Sequence, residues 1–149
     1  MVNIREANID DAYYLTDKLR QADLDECLAS HGVNGDQAIL LSYNNSTVTY
    51  VAEIDGVVIC MFGVVKYADG GYPWLLGTDL MSTIPVTFLK QSRKYIYGFL
   101  KEFKHLENYV DARNSLSIQW LKWLGFHMED PKPYGMNQEL FHRFTLGGG

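Results

Sequence analysis

Apolar and polar positions along the chain change period several times, and each change marks an element. Residues 2–7 alternate apolar and polar, the pattern of a half-buried strand. Asn8 then precedes Ile9, Asp10 and Asp11, a capping residue with acids in the first helical turn, and Ala12, Leu15, Leu19 and Ala22 follow at helical spacing. Over 27–35 the periodicity lapses and a loop-rich zone is expected, leading to a second helix over 36–43. Residues 47–54 and 57–66 read as strands flanking Asp55 and Gly56, a strong two-residue hairpin signal. The stretch 69–73, with Asp69, Gly70, Gly71 and Pro73, reads as a turn, and 74–81 as the next strand.

Ser82, Thr83, Ile84 and Pro85 open the longest helix, predicted over 86–103. Its apolar face is Phe88, Leu89, Tyr95, Ile96, Phe99, Leu100 and Phe103, and opposite them Lys90, Lys94, Lys101 and Lys104 fall within about 80° of one another at 100° per residue. A short strand over 109–112 breaks at Asn114 and enters a helix in which Ile118, Leu121 and Leu124 share one face. Gly125 stands where a helix C-terminus favours a residue tolerant of positive φ, and Phe126 restarts an apolar run. A turn over 131–135 and a strand over 139–146 complete a domain of residues 1–146, with a frayed glycine tail at 147–149. The order β-α-α-β-β-β-α-β-α-β predicts an α+β domain. An antiparallel hairpin and a β-α-β crossover must share one mixed sheet, with helices on both faces.

Composition narrows the function classes. The 149 residues are 47% hydrophobic and 21% charged, a globular balance in one domain. A net charge of −5 disfavours a general nucleic-acid binder, which needs a basic surface to neutralise phosphates. The longest apolar run, 57–65, is about half the ~20 residues of a membrane-spanning helix, and the first residues read as an amphipathic strand rather than a signal segment. Cys27 and Cys60 make no disulfide framework, so a reducing cytoplasm is the expected setting. His31, His105, His127 and His142 show no metal-ligand spacing, and neither a Gly-x-Ser-x-Gly elbow nor a cysteine-nucleophile signature is present.

The stretch 114–126, an Asn followed eleven and twelve positions later by Gly-Phe (Asn114, Gly125, Phe126), resembles the C-terminal motif of the GNAT acyl-CoA N-acyltransferase superfamily. The element order over nearly the whole chain is also what that resemblance implies. It implies a GNAT-like α+β fold, acetyl-CoA as a weakly held cofactor, and an amine acceptor. One departure stands out: the position where active relatives carry a Tyr general acid is Leu121. A narrower resemblance rests on 72–78, 88–94 and 114–126, which look like the small GNAT-like internal virion proteins of short-tailed, autographivirus-type bacteriophages. That resemblance implies virion proteins as partners, and a location in the host cytoplasm and the particle.

Several residues are nominated for this chemistry, each beside a plainer role. The resemblance places the acyl-CoA pyrophosphate at the start of the long helix, where unpaired N–H groups and the positive dipole end attract an anion. Relatives carry a glycine-rich loop there. This chain has Ser82 and Thr83, whose hydroxyls and amides are the alternative donors, and Pro85, which lacks an N–H. Lys90 and Arg93 head a group of five cations within fifteen residues, which serves a CoA phosphate or is an ordinary solvated face. Asp79, near the end of its strand, is the candidate proton acceptor for a substrate ammonium or a simple turn former, and Asp111 is a weaker candidate of the same kind. Asn114 either hydrogen-bonds a pantetheine amide, as the resemblance implies, or caps the helix that follows it. Two functions are therefore expected: a working N-acetyltransferase, or a GNAT-fold structural component of a phage particle with reduced catalysis.

Overall fold

The computed structural model describes residues 2–147, and among them the elements run β1 (Val2–Glu6), α1 (Ile9–Leu15), α2 (Gln21–His31), α3 (Gly35–Asn45), β2 (Val48–Ile54), β3 (Val57–Tyr67), β4 (Gly70–Gly77), α4 (Val86–Phe103), β5 (His105–Asp111), α5 (Ser115–Leu124), β6 (His127–Met128), β7 (Lys132–Tyr134) and β8 (Glu139–Gly147). The strands form one mixed sheet in the order β1-β2-β3-β4-β5-β8-β6, with β7 also pairing β8. The β4–β5 pair is parallel and the other neighbours are antiparallel. Helices cover both faces. On one, Ala12 and Leu15 of α1 and Ala38 and Ile39 of α3 pack on Val51, Met61 and Leu76. On the other, Phe88, Ile96, Phe99 and Phe103 of α4 and Leu124 of α5 pack on Ile59, Phe62, Leu106 and Val110. The expected α+β architecture is the observed one.

Local chemistry accounts for the boundaries. Asn8 accepts from the Asp11 amide at 3.1 Å while the Asp11 carboxylate accepts from the Asn8 amide at 2.9 Å, a capping box that starts α1. Asn34 and Gln37 make the same reciprocal pair at the start of α3. Asp55 and Gly56 both take positive φ, 51° and 80°, as the tight hairpin between β2 and β3 requires. The longest helix occupies the predicted range, and of its predicted apolar face Phe88, Ile96, Phe99 and Phe103 are buried. Phe99→Ala removes a ring from this core, and the expected cost is about 3–5 kcal/mol in a chemical denaturation series.

Several boundaries differ from expectation. Residues 27–35 are not loop-rich. The helical run from Ala12 breaks after Leu15, and α2 carries the chain from Gln21 to His31 before Gly32 ends it at φ 68°. β4 begins at Gly70, inside the stretch read as a turn, and ends at Gly77. Asp79–Thr83 forms a short 3-10 turn rather than strand. The strand expected over 109–112 starts at His105, and the turn expected over 131–135 contains β7. Gly147 is the last residue of β8, opposite His105, and Gly148 and Gly149 lie outside the described residues. None of the helices described is long and apolar enough to cross a membrane.

Candidate functional site

β4 and β5 pair at one position only, Gly71 opposite Leu106. Beyond it they separate, so backbone N–H and C=O groups along this side of β4 turn to a gap rather than a ladder. Pro73, which has no N–H to give, is tolerated in β4 because the neighbour on that side has drawn away. Near the closed end of the gap, Asn108 Nδ2 donates to the Pro73 carbonyl at 2.9 Å. The gap opens into a cleft of about 700 Å3, within the range of small-molecule sites. One wall comes from α2, α3 and β4 (Glu26, Cys27, Ser42, Trp74), the other from α4 and α5 (Ser92, Ile96, Trp120, Leu121).

A polar clamp on α2 bridges the open ends of the two strands. The Arg20 amide donates to the Gly77 carbonyl at 2.8 Å, and Asp23 Oδ2 accepts from the Gly77 amide at 2.9 Å, so both backbone polar groups of the last residue of β4 are held. The Arg20 guanidinium lies 3.1 Å from the Asp23 carboxylate and donates to Ser117 Oγ at 3.0 Å and to Asn114 Oδ1. Glu26 Oε1 accepts from the Asp111 amide at 2.8 Å and from Asn114 Nδ2 at 3.3 Å. Its other oxygen has no protein partner among the described residues, and Glu26 is a cleft-lining residue. Burial, chiefly, pushes the Glu26 carboxyl up to about 7. The Asp23 and Asp111 carboxylates add to that rise, while the Asp111 amide and the Asn114 side chain oppose it. Burial also raises Asp23, against the pull of Arg20. The Cys27 thiol, half-buried in the same wall, is pushed up to about 12 by burial and these two acids, so it stays protonated.

The residues nominated from sequence divide around this cleft. Asn114 is 2% exposed and bonded to the cleft-lining Glu26, but its side chain does not cap α5; it donates to Asp23 and Glu26 and accepts from Arg20. Asp111 is buried and bidentate with Arg113. Against the desolvation of burial, that guanidinium and the Arg113 amide hold its carboxyl below the usual range, which leaves it a weak proton acceptor. Asp79 is not brought to the cleft. It is exposed in the 3-10 turn and lines a surface hollow with Tyr14, Lys18 and Leu80. Ser82 and Thr83 are exposed and spend their hydroxyl protons on the Asp79 and Leu80 carbonyls, at 3.0 and 2.7 Å. α4 starts without a side-chain cap after Pro85 and without an acid in its first turn, so Val86 and Thr87 present their amides outward. Lys90 is exposed near this end. Arg93 is committed elsewhere: it donates to the Trp123 carbonyl at 2.7 Å and stacks 4.0 Å from the Trp123 ring, tying α4 to the end of α5. Among the described residues no group of acids, histidines and cysteines is placed to hold a metal ion.

Arg20, Asp23 and Glu26 were not nominated from sequence. Their spacing of three puts them on one face of a helix, a signal that needs the helix to be seen first. Trp120 Nε1 and Gln91 Oε1 are buried without hydrogen-bond partners, and the Trp120 side chain lines the cleft.

No protein-family model matches the chain, and no curated protein sequence matches it. The backbone does match solved structures over nearly its whole length. A ribosomal-protein-S5-alanine acetyltransferase from Vibrio fischeri superposes with a TM-score of 0.68 at 16% identity, over 98% of this chain and 92% of that one. An acetyltransferase of the GNAT family from Streptococcus pneumoniae gives 0.63 at 13% identity, over 99% of both chains. The fold is that of the GNAT acyltransferases. YncA of Salmonella typhimurium, solved with its cofactor acetyl-CoA, gives 0.63 at 14% identity, over 98% of this chain and 93% of that one. Identities this low carry the GNAT fold and leave the chemistry to the residues in the cleft.

Proposed function

We propose that this chain transfers an acyl group from acyl-CoA to the nitrogen of a primary amine within the cleft between β4 and β5. The observation that carries the reading is the single-position pairing of those strands, which leaves an apolar gap with one partly free carboxylate, Glu26, in its wall. A gap of this form accepts an extended thioester arm on one side and an amine on the other. The unpaired edge of β4 is the group left to hold the arm. The uncapped amides of Val86 and Thr87, with Lys90 nearby, form a weak seat for a diphosphate, because no glycine lets the backbone approach and Ser82 and Thr83 are used locally.

Acyl-CoA supplies an activated carbonyl and a thiolate leaving group. Glu26 takes the proton from the substrate ammonium, freeing the nitrogen lone pair to form the C–N bond as the C–S bond breaks. The Asp111 amide and Asn114 hold the carboxylate still by its other oxygen. A carboxyl raised to about 7 is matched to that task near neutral pH. Leu121 lines the cleft at the position of the expected phenol and offers no proton, so the departing thiolate takes the second proton of the acylated nitrogen through water and turnover is slow. The test is thiol release from acetyl-CoA over a panel of amines and peptides. Slow, amine-dependent release supports the proposal, and none with any acceptor contradicts it.

A second reading keeps the fold and drops the chemistry: a structural component of a phage particle, favoured by Leu121, the glycine-free stretch 81–86 and the narrower sequence likeness. A silent amine panel combined with a particle-assembly defect on gene deletion would support it.

A further inference from the structure

The charges lining the cleft define what the acceptor is. Among the described residues in its walls, Glu26 is the one acid and His31 the one histidine, and there is no lysine or arginine. The lysines at 90, 94, 101 and 104 lie exposed on α4 instead. The α2 side of the cleft is aromatic: Tyr109 and Tyr134 stack with centroids 3.9 Å apart and planes at 13°, and Tyr72 and Trp74 line the same space from β4. The turn after β7 docks on the end of α2, with the Met136 amide donating to the Ser30 carbonyl at 3.1 Å, so Tyr134 and Glu26 are held in one wall by a fixed contact. Trp74 Nε1 is already bonded to Ser46 Oγ at 2.7 Å and Asn108 Nδ2 to the Pro73 carbonyl, which leaves the rings and hydroxyls of the three tyrosines as the main surface of this wall.

We propose, building on the acyl-transfer reading, that the acceptor is a small primary amine carried on an aromatic body, its ammonium on Glu26 and its ring against Tyr109 and Tyr134. One cation matches one carboxylate, and the rest of the molecule must lose its water against apolar and aromatic walls. A polyamine would bury its second ammonium without a partner. An acidic amine would bring a second carboxylate into a cleft that already holds Glu26 and offers it no lysine or arginine. Both are selected against by the same lining.

The test is calorimetric titration of 2-phenylethylamine, 2-phenylethanol, spermidine and glutamate into the protein, with acetyl-CoA titrated separately. The expected result is saturable binding of 2-phenylethylamine at least about ten-fold tighter than the other three, corresponding to ~1.4 kcal/mol or more. The advantage over 2-phenylethanol should be lost in Glu26→Gln, and 2-phenylethylamine affinity should fall in Tyr134→Leu. The comparison with 2-phenylethanol uses the unaltered protein, so it holds even if a variant folds poorly. Preference for spermidine or glutamate, or equal binding of the amine and the alcohol, overturns the inference. Acetyl-CoA binding without any amine preference defeats this inference and leaves acyl transfer standing. Amine binding without acetyl-CoA binding does the reverse.

Discussion

Replacing Arg20 with Ala lowers the stability of the fold by about 3–5 kcal/mol, the cost of removing one partner of a buried ion pair. Asp23 is 1% exposed, and Arg20 is the cation beside it. The substitution also strips a donor from Asn114 and another from Ser117, and loosens the grip of α2 on the end of β4. The loss depends on pH with a definite sign. Asp23 ionises at 3.8 when unfolded and higher when folded, and without Arg20 its folded value rises further. The folded variant therefore binds more protons than the unfolded chain between those limits, and its stability falls as pH rises through that window. The deficit relative to wild type is largest near neutrality and shrinks as pH drops towards 3.8. Urea denaturation at pH 7 and pH 4 measures both values. A deficit under about 1 kcal/mol at pH 7 would mean that the clamp does not hold α2.

Glu26→Gln lowers the rate of acyl transfer by about 10²–10⁴, the usual contribution of a positioned general base. Gln keeps an acceptor for the Asp111 amide and Asn114 Nδ2, so the loss falls on the chemical step rather than on the fold. Because the carboxylate is the active form, the wild-type rate should climb as pH rises towards about 7 and level off above it, whereas the variant should lose that rise. Asp79→Asn, exposed in the 3-10 turn, should leave the profile unchanged. An unaltered pH profile in Glu26→Gln would remove the carboxylate from the mechanism.

How much of this was legible in the sequence depends on what faces inward. α4 was read to its observed ends because its buried face is apolar at helical period, and the stretch from Asn114 to Gly125 because a helix there has an apolar side and a glycine stop. α2 was not legible. Its inner side mixes Leu24 and Ala29 with Asp23 and Glu26, and the acids are satisfied by Arg20, Asn114 and two backbone amides from β4 and β5. The acids interrupt the apolar stripe, and their partners in β4 and at Asn114 lie about fifty to ninety residues away in sequence. The same gap hid the site. With α2 read as loop, the nearest carboxylate to the expected chemistry was Asp79, which the 3-10 turn carries to the outer surface. The cap expected of Asn114 is replaced by its bonds to Arg20, Asp23 and Glu26. The turn read over 69–73 failed because Pro73 normally argues against a strand. Here it is admitted by the parting of β4 from β5, a feature of the sheet rather than of the local sequence.

If the parted strands form a seat for acyl-CoA, calorimetric titration with acetyl-CoA gives saturable binding of one molecule per chain. That binding is weak because the start of α4 lacks glycine, and weaker still with added salt or in Lys90→Ala. No heat and no shift in melting temperature at millimolar acetyl-CoA would contradict it.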